Sequence, residues 1–230
     1  MMERNGSLTM HAGDLDARLE SEEMKQLMED YSQIRYVYAA GIRLITARLE
    51  ALECEFEQKG SHNPIHHVES RVKTLASILK KLDSLGIPQT VAEAKKNLND
   101  IAGVRVVCCY VDDIYKIYNS LISMDDIQLI EKKDYILQPK ENGYRSLHIV
   151  VDIPVYLSGG KVYLPVEIQI RTVAMDFWAA LEHGIRYKSP SEVPTYINEQ
   201  LRACADIIAS TDDRMQMIFQ EIQKLNGEDA

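Results

Sequence analysis

Short segments rich in β-branched residues fill the middle of the chain, and this feature limits the fold more than any other. Residues 104–111 read Val-Arg-Val-Val-Cys-Cys-Tyr-Val, which predicts a buried β-strand. Three more segments are predicted as strands, the last two joined by the hairpin signal Gly-Gly: 128–135, 145–153 and 161–171. We therefore expect a mixed β-sheet of about five strands.

Long segments of helical periodicity flank these strands. Between residues 22 and 58, apolar side chains recur at spacings of mostly three and four, the pattern of one apolar face on a long helix. Residues 195–225 predict a second long helix. Shorter helices are predicted between the two: 68–85, 91–98, 112–123 and 173–188. The fold class is therefore α+β, a mixed sheet flanked by helices, with long N- and C-terminal helices.

The pattern divides the chain into four parts. We expect a frayed, disordered N-terminus at 1–20 and a helical extension at 21–60. One folded domain follows at 61–190, and a C-terminal helical extension at 191–230.

Composition excludes several classes of function. The 230 residues carry a net charge of −9, so a general DNA-binding role, which needs a positive surface, is not expected. No apolar run is long enough to span a bilayer, and we expect a cytoplasmic protein without a membrane partner. The four cysteines form no Cys-x-x-Cys pair, so we expect reduced thiols that fill space rather than a zinc site.

The most informative segment is the strand predicted at 161–171. Alternation places Glu167, Gln169 and Arg171 on one face and apolar residues on the other. The polar face fits a carboxylate held on a rigid strand beside anion-binding groups, or else a solvated outer face of a half-covered sheet. Asp100, just before another strand, could join Glu167 in holding Mg²⁺, or could be a turn residue.

Basic residues form two further candidate clusters. Lys73, Ser77 and Lys81 share a face of the helix predicted at 68–85, with Arg71 near its start. This row could bind a triphosphate or be a solvated lysine face. The second cluster surrounds an Asn-Gly turn and could bind an anion and stack a base: Lys133, Lys140, Tyr144, Arg145 and His148.

Acidic residues follow on the helix predicted at 173–188. Asp176 and Glu182 lie on one helical face, where a carboxylate could accept hydrogen bonds from the edge of guanine. The alternative is a set of surface salt bridges. Together the clusters fit a site that transfers a phosphoryl group between two nucleotides, although spacing does not identify the nucleotides.

Six segments in order resemble the synthetase domain of the RelA/SpoT family, and the resemblance extends over residues 63–188. The segments are 71–73, 100–105, 133–136, 142–148, 167–172 and 178–183. It implies a nucleotidyltransferase-like fold and a small alarmone synthetase that transfers pyrophosphate from ATP to the 3′-hydroxyl of GDP or GTP. It also implies a homotetramer. No His-Asp dipeptide of the family's hydrolase domain occurs, so we expect synthesis without hydrolysis.

The resemblance also implies a role for each candidate residue. Asp100 and Glu167 would hold Mg²⁺, and Glu167 would assist deprotonation of the 3′-hydroxyl. The residues implied for ATP are Arg71, Lys73, Ser77, Lys81 and Arg105. The residues implied for GDP or GTP are Lys133, Tyr144, Arg145, His148, Gln169, Asp176 and Glu182.

Three other functions remain open at this point. One is a nucleotidyltransferase with the same sheet and a different acceptor. Another is a catalytically silent guanine-nucleotide sensor, although a sensor would not need both Asp100 and Glu167. A third is RNA binding through the basic residues, which the net acidity limits to a side activity.

Overall fold

A computed structural model describes residues 22–59, 62–188 and 194–226, without the side chains of 186–188 and 226. The predicted frayed segment at 1–20 lies outside the described residues, as does the start of the C-terminal extension predicted at 191. None of the helices in the described ranges combines the length and apolarity needed to cross a membrane.

The prediction of a mixed five-stranded sheet is confirmed. The strand order is β1-β2-β5-β4-β3; β2 and β5 are parallel and the other pairs are antiparallel. The strands are β1 (Ile65–Val72), β2 (Ala102–Cys108), β3 (Gln128–Asp134), β4 (Leu147–Leu157) and β5 (Gly160–Thr172). As predicted, β4 and β5 form a hairpin, and Leu157 pairs with Gly160 across the turn.

Helices surround the strands along the chain. They are α1 (Glu22–Gln58), α2 (Leu75–Ser84), α3 (Val91–Asn97), α4 (Val111–Ile122), α5 (Val173–Lys188) and α6 (Thr195–Asn226). The two long terminal helices and the helix after β5 agree with the predictions. By contrast, the predicted helix at 68–85 is wrong in its first third.

Residues 68–72 belong to strand β1, which pairs antiparallel with β2 from Ile65 to Val72. The helix begins only at Leu75, where the side chain of Thr74 accepts a hydrogen bond from the backbone N–H of Ser77. Pairing with β2 gives the backbone of β1 its hydrogen bonds, and this long-range contact outweighs the local helical pattern.

The described residues divide into two compact units. One comprises residues 22–37 with Thr74–Leu98, and the other comprises Tyr38–Lys73 with the chain from Asn99 onward. The second unit contains the whole sheet, so all candidate residues except Ser77 and Lys81 belong to it.

The core of the sheet-containing unit consists of β-branched and aliphatic side chains. Val104 and Val106 of β2 and Ile168 and Ile170 of β5 are buried. On α1, Gly41 allows a close approach to β5, because a Cβ there would lie 2.6 Å from a side-chain carbon of Leu164. Burial of one face leaves the other face of β2 and β5 for polar side chains.

Helix α6 packs against the end of the sheet and fixes the loop before β4. Asp212 accepts a hydrogen bond of 2.6 Å from the Thr172 hydroxyl, and the Trp178 indole donates to the Leu201 carbonyl. Gly143 has φ +89°, and a Cβ there would lie 2.5 Å from the Cβ of Ala205. Only glycine fits both this backbone conformation and this distance, so α6 sets the position of Tyr144 next in the chain.

Candidate active site

Strand register brings candidate residues from four strands onto one face of the sheet. Arg105 of β2 pairs with Gln169 of β5, which pairs with His148 of β4, which pairs with Lys133 of β3. Residues paired in register point to the same face. Glu167, two residues before Gln169 on β5, lies on this face as well. We call this the polar face.

Burial rules out a simple solvated surface at the centre of this face. The Arg171 side chain is 3% exposed and that of Glu167 is 24% exposed. Charged groups at this depth require hydrogen-bonding or charged partners. The alternative that the Glu-Gln-Arg alternation marks an outer, solvated face is therefore wrong.

A closed ring of five side chains provides these partners. Glu167 contacts the Nδ1 of His148 at 3.5 Å, and the Nε2 of His148 contacts the Tyr144 hydroxyl at 2.7 Å. Arg171 donates to that hydroxyl at 3.1 Å and to the Oε1 of Gln169 at 2.7 Å. Gln169 closes the ring by donating from Nε2 to Glu167 at 3.0 Å. We refer to these five residues as the Glu167 ring.

The surroundings keep Glu167 ionised. Burial raises its pKa, but the hydrogen bond and charge of His148 and the hydrogen bond from Gln169 outweigh burial and hold the pKa below its ordinary value. Gly103, three residues after Asp100, pairs with Glu167 in the β2–β5 register, which brings Asp100 near Glu167. The Asp100 carboxylate acts in the opposite direction to these hydrogen bonds and raises the pKa of Glu167. A site with two nearby carboxylates is suited to a divalent cation.

Asp100 lies just before β2 and forms an ion pair with Lys73, which lies just after β1. The backbone N–H of Lys73 donates to the Ile101 carbonyl at 2.8 Å, so the β1–β2 pairing places the two side chains together. Because Lys73 precedes α2, the prediction that it shares a helical face with Ser77 and Lys81 is wrong. Those two residues lie on α2 in the other unit.

The two arginines predicted at ATP lie on neighbouring strands. Arg71 is exposed on β1. It lies two residues after Glu69, and Glu69 pairs with Arg105 in the β1–β2 register. Arg105 donates to Glu69 at 3.2 Å and lies 3.5 Å from Asp176. Asp176 also accepts from Arg171 at 3.3 Å, so this carboxylate links two guanidinium groups.

Aromatic and basic side chains surround Tyr144. The ammonium of Lys140 lies 4.8 Å from the centre of the Tyr144 ring and 4.6 Å from that of Tyr135. Tyr135 also contacts His148 edge-on at 5.3 Å, and Trp178 lies 6.4 Å from Tyr144. Tyr135, Tyr144 and His148 are partly buried and Trp178 is buried, so this aromatic group provides apolar ring surface beside the polar face.

The remaining predicted residues occupy different surroundings. Lys133 is exposed, and a hydrogen bond to Glu131 raises its pKa. Glu182 on α5 accepts from the Asn142 amide at 3.0 Å and so steadies the loop before β4. Arg145 lines a small pocket with residues of α5 and α6, among them Asp212.

Residues 70–192 match the region found in RelA/SpoT proteins, more than half of the chain. The chain belongs to the RelA/SpoT family. GTP pyrophosphokinase YwaC of Bacillus subtilis is 40% identical over 201 residues, which cover 87% of this chain and 96% of that protein. GTP pyrophosphokinase YjbM of the same organism is 35% identical, with 86% and 93% covered.

Solved structures agree with this assignment. The structure of small alarmone synthetase 1 from Bacillus subtilis bound to its product pppGpp is similar to this chain, with a TM-score of 0.79 and 34% identity. The similarity covers 84% of this chain and 98% of that one. Sequence and fold therefore lead to the same family.

Sequence reasoning missed three contributors to this RelA/SpoT-family site. Tyr135 and Trp178 are not among the predicted site residues, although both lie in the family segments 133–136 and 178–183 and both contact Tyr144. The alternation on β5 places Arg171 on the polar face but predicts no role for it in the site. Its burial at the centre of the ring is a tertiary property that alternation alone does not reveal.

A second group of ligand-type side chains lies at the start of α4. One ligand atom each from His62, Cys109 and Asp113 falls within 4.8 Å of the others. Asp113 accepts from His62 at 2.9 Å and from the backbone N–H of Tyr110 at 3.1 Å. These bonds make Asp113 part of a helix cap and account for its burial without a metal.

Proposed function

We propose that this RelA/SpoT-family chain is a GTP pyrophosphokinase. It transfers the β,γ-pyrophosphate of ATP to the 3′-hydroxyl of GDP or GTP and produces AMP and (p)ppGpp. The observation that carries the proposal is the strand register that brings Asp100, just before β2, near Glu167 on β5. The names of the related Bacillus subtilis enzymes support the same reaction.

The two carboxylates would hold Mg²⁺. Carboxylate oxygens are the hard ligands that Mg²⁺ prefers. The negative charge of Asp100 acts to raise the pKa of Glu167, and a bound cation would relieve this repulsion between the two carboxylates. When bound, Mg²⁺ supplies neutralisation of the phosphate charge. Lys73, paired with Asp100, places a further positive charge where ATP phosphates would lie.

Glu167 would accept the proton of the 3′-hydroxyl while the 3′-oxygen attacks the β-phosphorus of ATP. The bond from the β-phosphorus to the oxygen shared with the α-phosphate breaks, and AMP leaves with that oxygen. Because Glu167 is ionised at neutral pH, it is ready to take the proton without a prior step. Correct alignment of the two bound nucleotides supplies much of the acceleration.

The other predicted residues keep their proposed roles around the two nucleotides. Arg71 and Arg105 would enclose the adenine, since guanidinium groups stack well on aromatic rings. Tyr144 would stack on guanine with the aromatic group behind it. The residues proposed at phosphates or the acceptor base are Ser77, Lys81, Lys133, Arg145, His148, Gln169, Asp176 and Glu182.

We assign this reaction to a catalytic domain at 61–190, with helical extensions on both sides, acting in the cytoplasm. The test is incubation of the pure protein with Mg²⁺, γ-³²P-ATP and either GDP or GTP, followed by separation of the nucleotides. Label in ppGpp or pppGpp is the expected result. Binding of both nucleotides without transfer would favour the sensor instead, and label in another product would favour a different acceptor.

The same protein incubated with labelled ppGpp is expected to release no pyrophosphate. Its sequence contains no His-Asp dipeptide, the motif of the family's hydrolase domain. Release of pyrophosphate that survives further purification would contradict synthesis without hydrolysis.

A homotetramer is proposed on the basis of apolar side chains left exposed on α6. Met215, Ile218 and Ile222 are each about half exposed and Leu225 is 79% exposed. Contiguous apolar surface of this kind favours burial against another chain. Light scattering at micromolar concentration is expected to give four times the 26.2 kDa mass of one chain.

As a check on that surface, Ile218→Glu and Ile222→Glu are each expected to lower the measured mass, because a buried charge opposes association. The exchange Glu221→Gln, on the same helix, serves as the matched control. A wild-type protein that elutes as a monomer would contradict the tetramer.

A further inference from the structure

Arg171 is the only member of the Glu167 ring that is fully buried, at 3% exposure. Its guanidinium donates to Tyr144, Gln169 and Asp176, and it also lies 5.6 Å above the Tyr144 ring. Burial lowers its pKa, but an arginine remains charged and carries donors only. Such a group forces each partner to present an acceptor toward it.

One arm of the ring runs from Arg171 through Gln169 to Glu167. Because Arg171 only donates, the amide oxygen of Gln169 must face it, at 2.7 Å. The amide NH₂ of Gln169 is then directed to Glu167, at 3.0 Å. The orientation of this amide is therefore set by the arginine rather than by chance.

The other arm runs from Arg171 through Tyr144 and His148. The Tyr144 oxygen accepts from Arg171, and its single proton is available for the Nε2 of His148, 2.7 Å away. His148 then carries its own proton on Nδ1, which faces the Glu167 carboxylate. The opposite tautomer would direct a lone pair at that carboxylate, so both ends of the imidazole favour the same form.

We propose that Arg171 is a positioning residue of the reaction: it fixes the direction of every hydrogen bond in the Glu167 ring so that His148 and Gln169 both direct N–H groups at the Glu167 carboxylate. Arg171 itself touches no substrate in this arrangement. The carboxylate is held in one orientation by two donors, which preserves its placement for the acceptor hydroxyl. This inference rests on the proposed role of Glu167.

The tautomer of His148 is the direct readout. ¹⁵N NMR of the resting protein without nucleotides, at about pH 8.5 where an ordinary histidine is neutral, is expected to show Nδ1 protonated and Nε2 unprotonated in the wild type. In Arg171→Met the Tyr144 oxygen no longer accepts from an arginine and can accept from Nε2 of His148 instead, so we expect a mixture of the two tautomers. Tyr144→Phe removes the hydroxyl that links Arg171 to His148 and is also expected to give a mixture of tautomers. This second variant keeps the test decisive even if Arg171→Met does not fold.

The kinetic expectation is a loss of about 10- to 100-fold in kcat for Arg171→Met, with the KM for ATP nearly unchanged, because the residue acts through Glu167. Arg171→Lys, which keeps donors and charge but loses the planar fork, should recover part of the rate. Arg48→Met is the matched control, since Arg48 also pairs with an aspartate, Asp126, away from the ring. It should leave the rate and the His148 tautomer unchanged.

Failure of this inference and failure of the proposed function give different results. A wild-type protein that makes no (p)ppGpp overturns the proposed function. A fully active wild type whose His148 is protonated on Nε2, or whose tautomer and kcat are unaltered in Arg171→Met and Tyr144→Phe, overturns the role of Arg171.

Discussion

Replacing Glu167 with glutamine is expected to lower kcat for (p)ppGpp synthesis by about 10³-fold or more, while ATP and GTP still bind. Glutamine has nearly the same shape but cannot accept a proton from the 3′-hydroxyl and is a poor ligand for a divalent cation. Loss of the proton acceptor alone accounts for about 10²–10⁴-fold. Initial rates at saturating substrates, with calorimetry for nucleotide binding, provide the measurement.

The ring adds a second reason for a large effect. Both oxygens of Glu167 face donors, His148 on one side and Gln169 on the other. A glutamine at 167 has one oxygen and one NH₂ group, so one of the two neighbours would face a donor instead of an acceptor. We therefore expect the substituted side chain to be displaced as well as inactive.

Glu55→Gln is the matched control, since Glu55 is an exposed glutamate near the end of α1 that pairs with the exposed Lys59. It should retain wild-type rates, and both variants should unfold at similar temperatures. A Glu167→Gln protein that keeps a tenth or more of the wild-type kcat would contradict the assignment of Glu167 as proton acceptor.

The sequence predicted the polar face because the two-residue period of β5 is local. Once residues 161–171 are assigned as a strand, Glu167 and Gln169 must share a side. The ring was not predictable in the same way. It depends on the register that places His148 opposite Gln169, and on the loop that returns Tyr144 to the same place.

Strand β1 was missed because its eight residues, Ile-His-His-Val-Glu-Ser-Arg-Val, show no clear alternation of apolar and polar side chains. It is an edge strand, and only Ile65 in it is fully buried. Its conformation is set by pairing with β2, a contact between residues far apart in the chain. As a result Arg71 was assigned to a helix, although its place beside Arg105 on the sheet follows from that pairing.

Substitution of Asp100 by asparagine is the second change with a large expected effect. We expect kcat to fall by about 10²–10³-fold at ordinary Mg²⁺ concentrations and the Mg²⁺ concentration for half-maximal rate to rise at least about tenfold. The cation would lose one of its two charged ligands, and Glu167 would lose the neighbour that raises its pKa. Rates measured across a Mg²⁺ titration separate the two effects.

The variant Lys73→Met distinguishes two roles for Asp100: ligand of the cation, or partner that only positions Lys73. If Asp100 served mainly to position Lys73, this variant would reproduce the loss in Asp100→Asn and leave the Mg²⁺ requirement of the enzyme unchanged. If Asp100 is a ligand, Asp100→Asn alone shifts that requirement. Asp126→Asn, which removes the exposed partner of Arg48, is the matched control and should alter neither quantity. An unchanged Mg²⁺ titration in Asp100→Asn would therefore leave Glu167 as the sole carboxylate with a role at the cation.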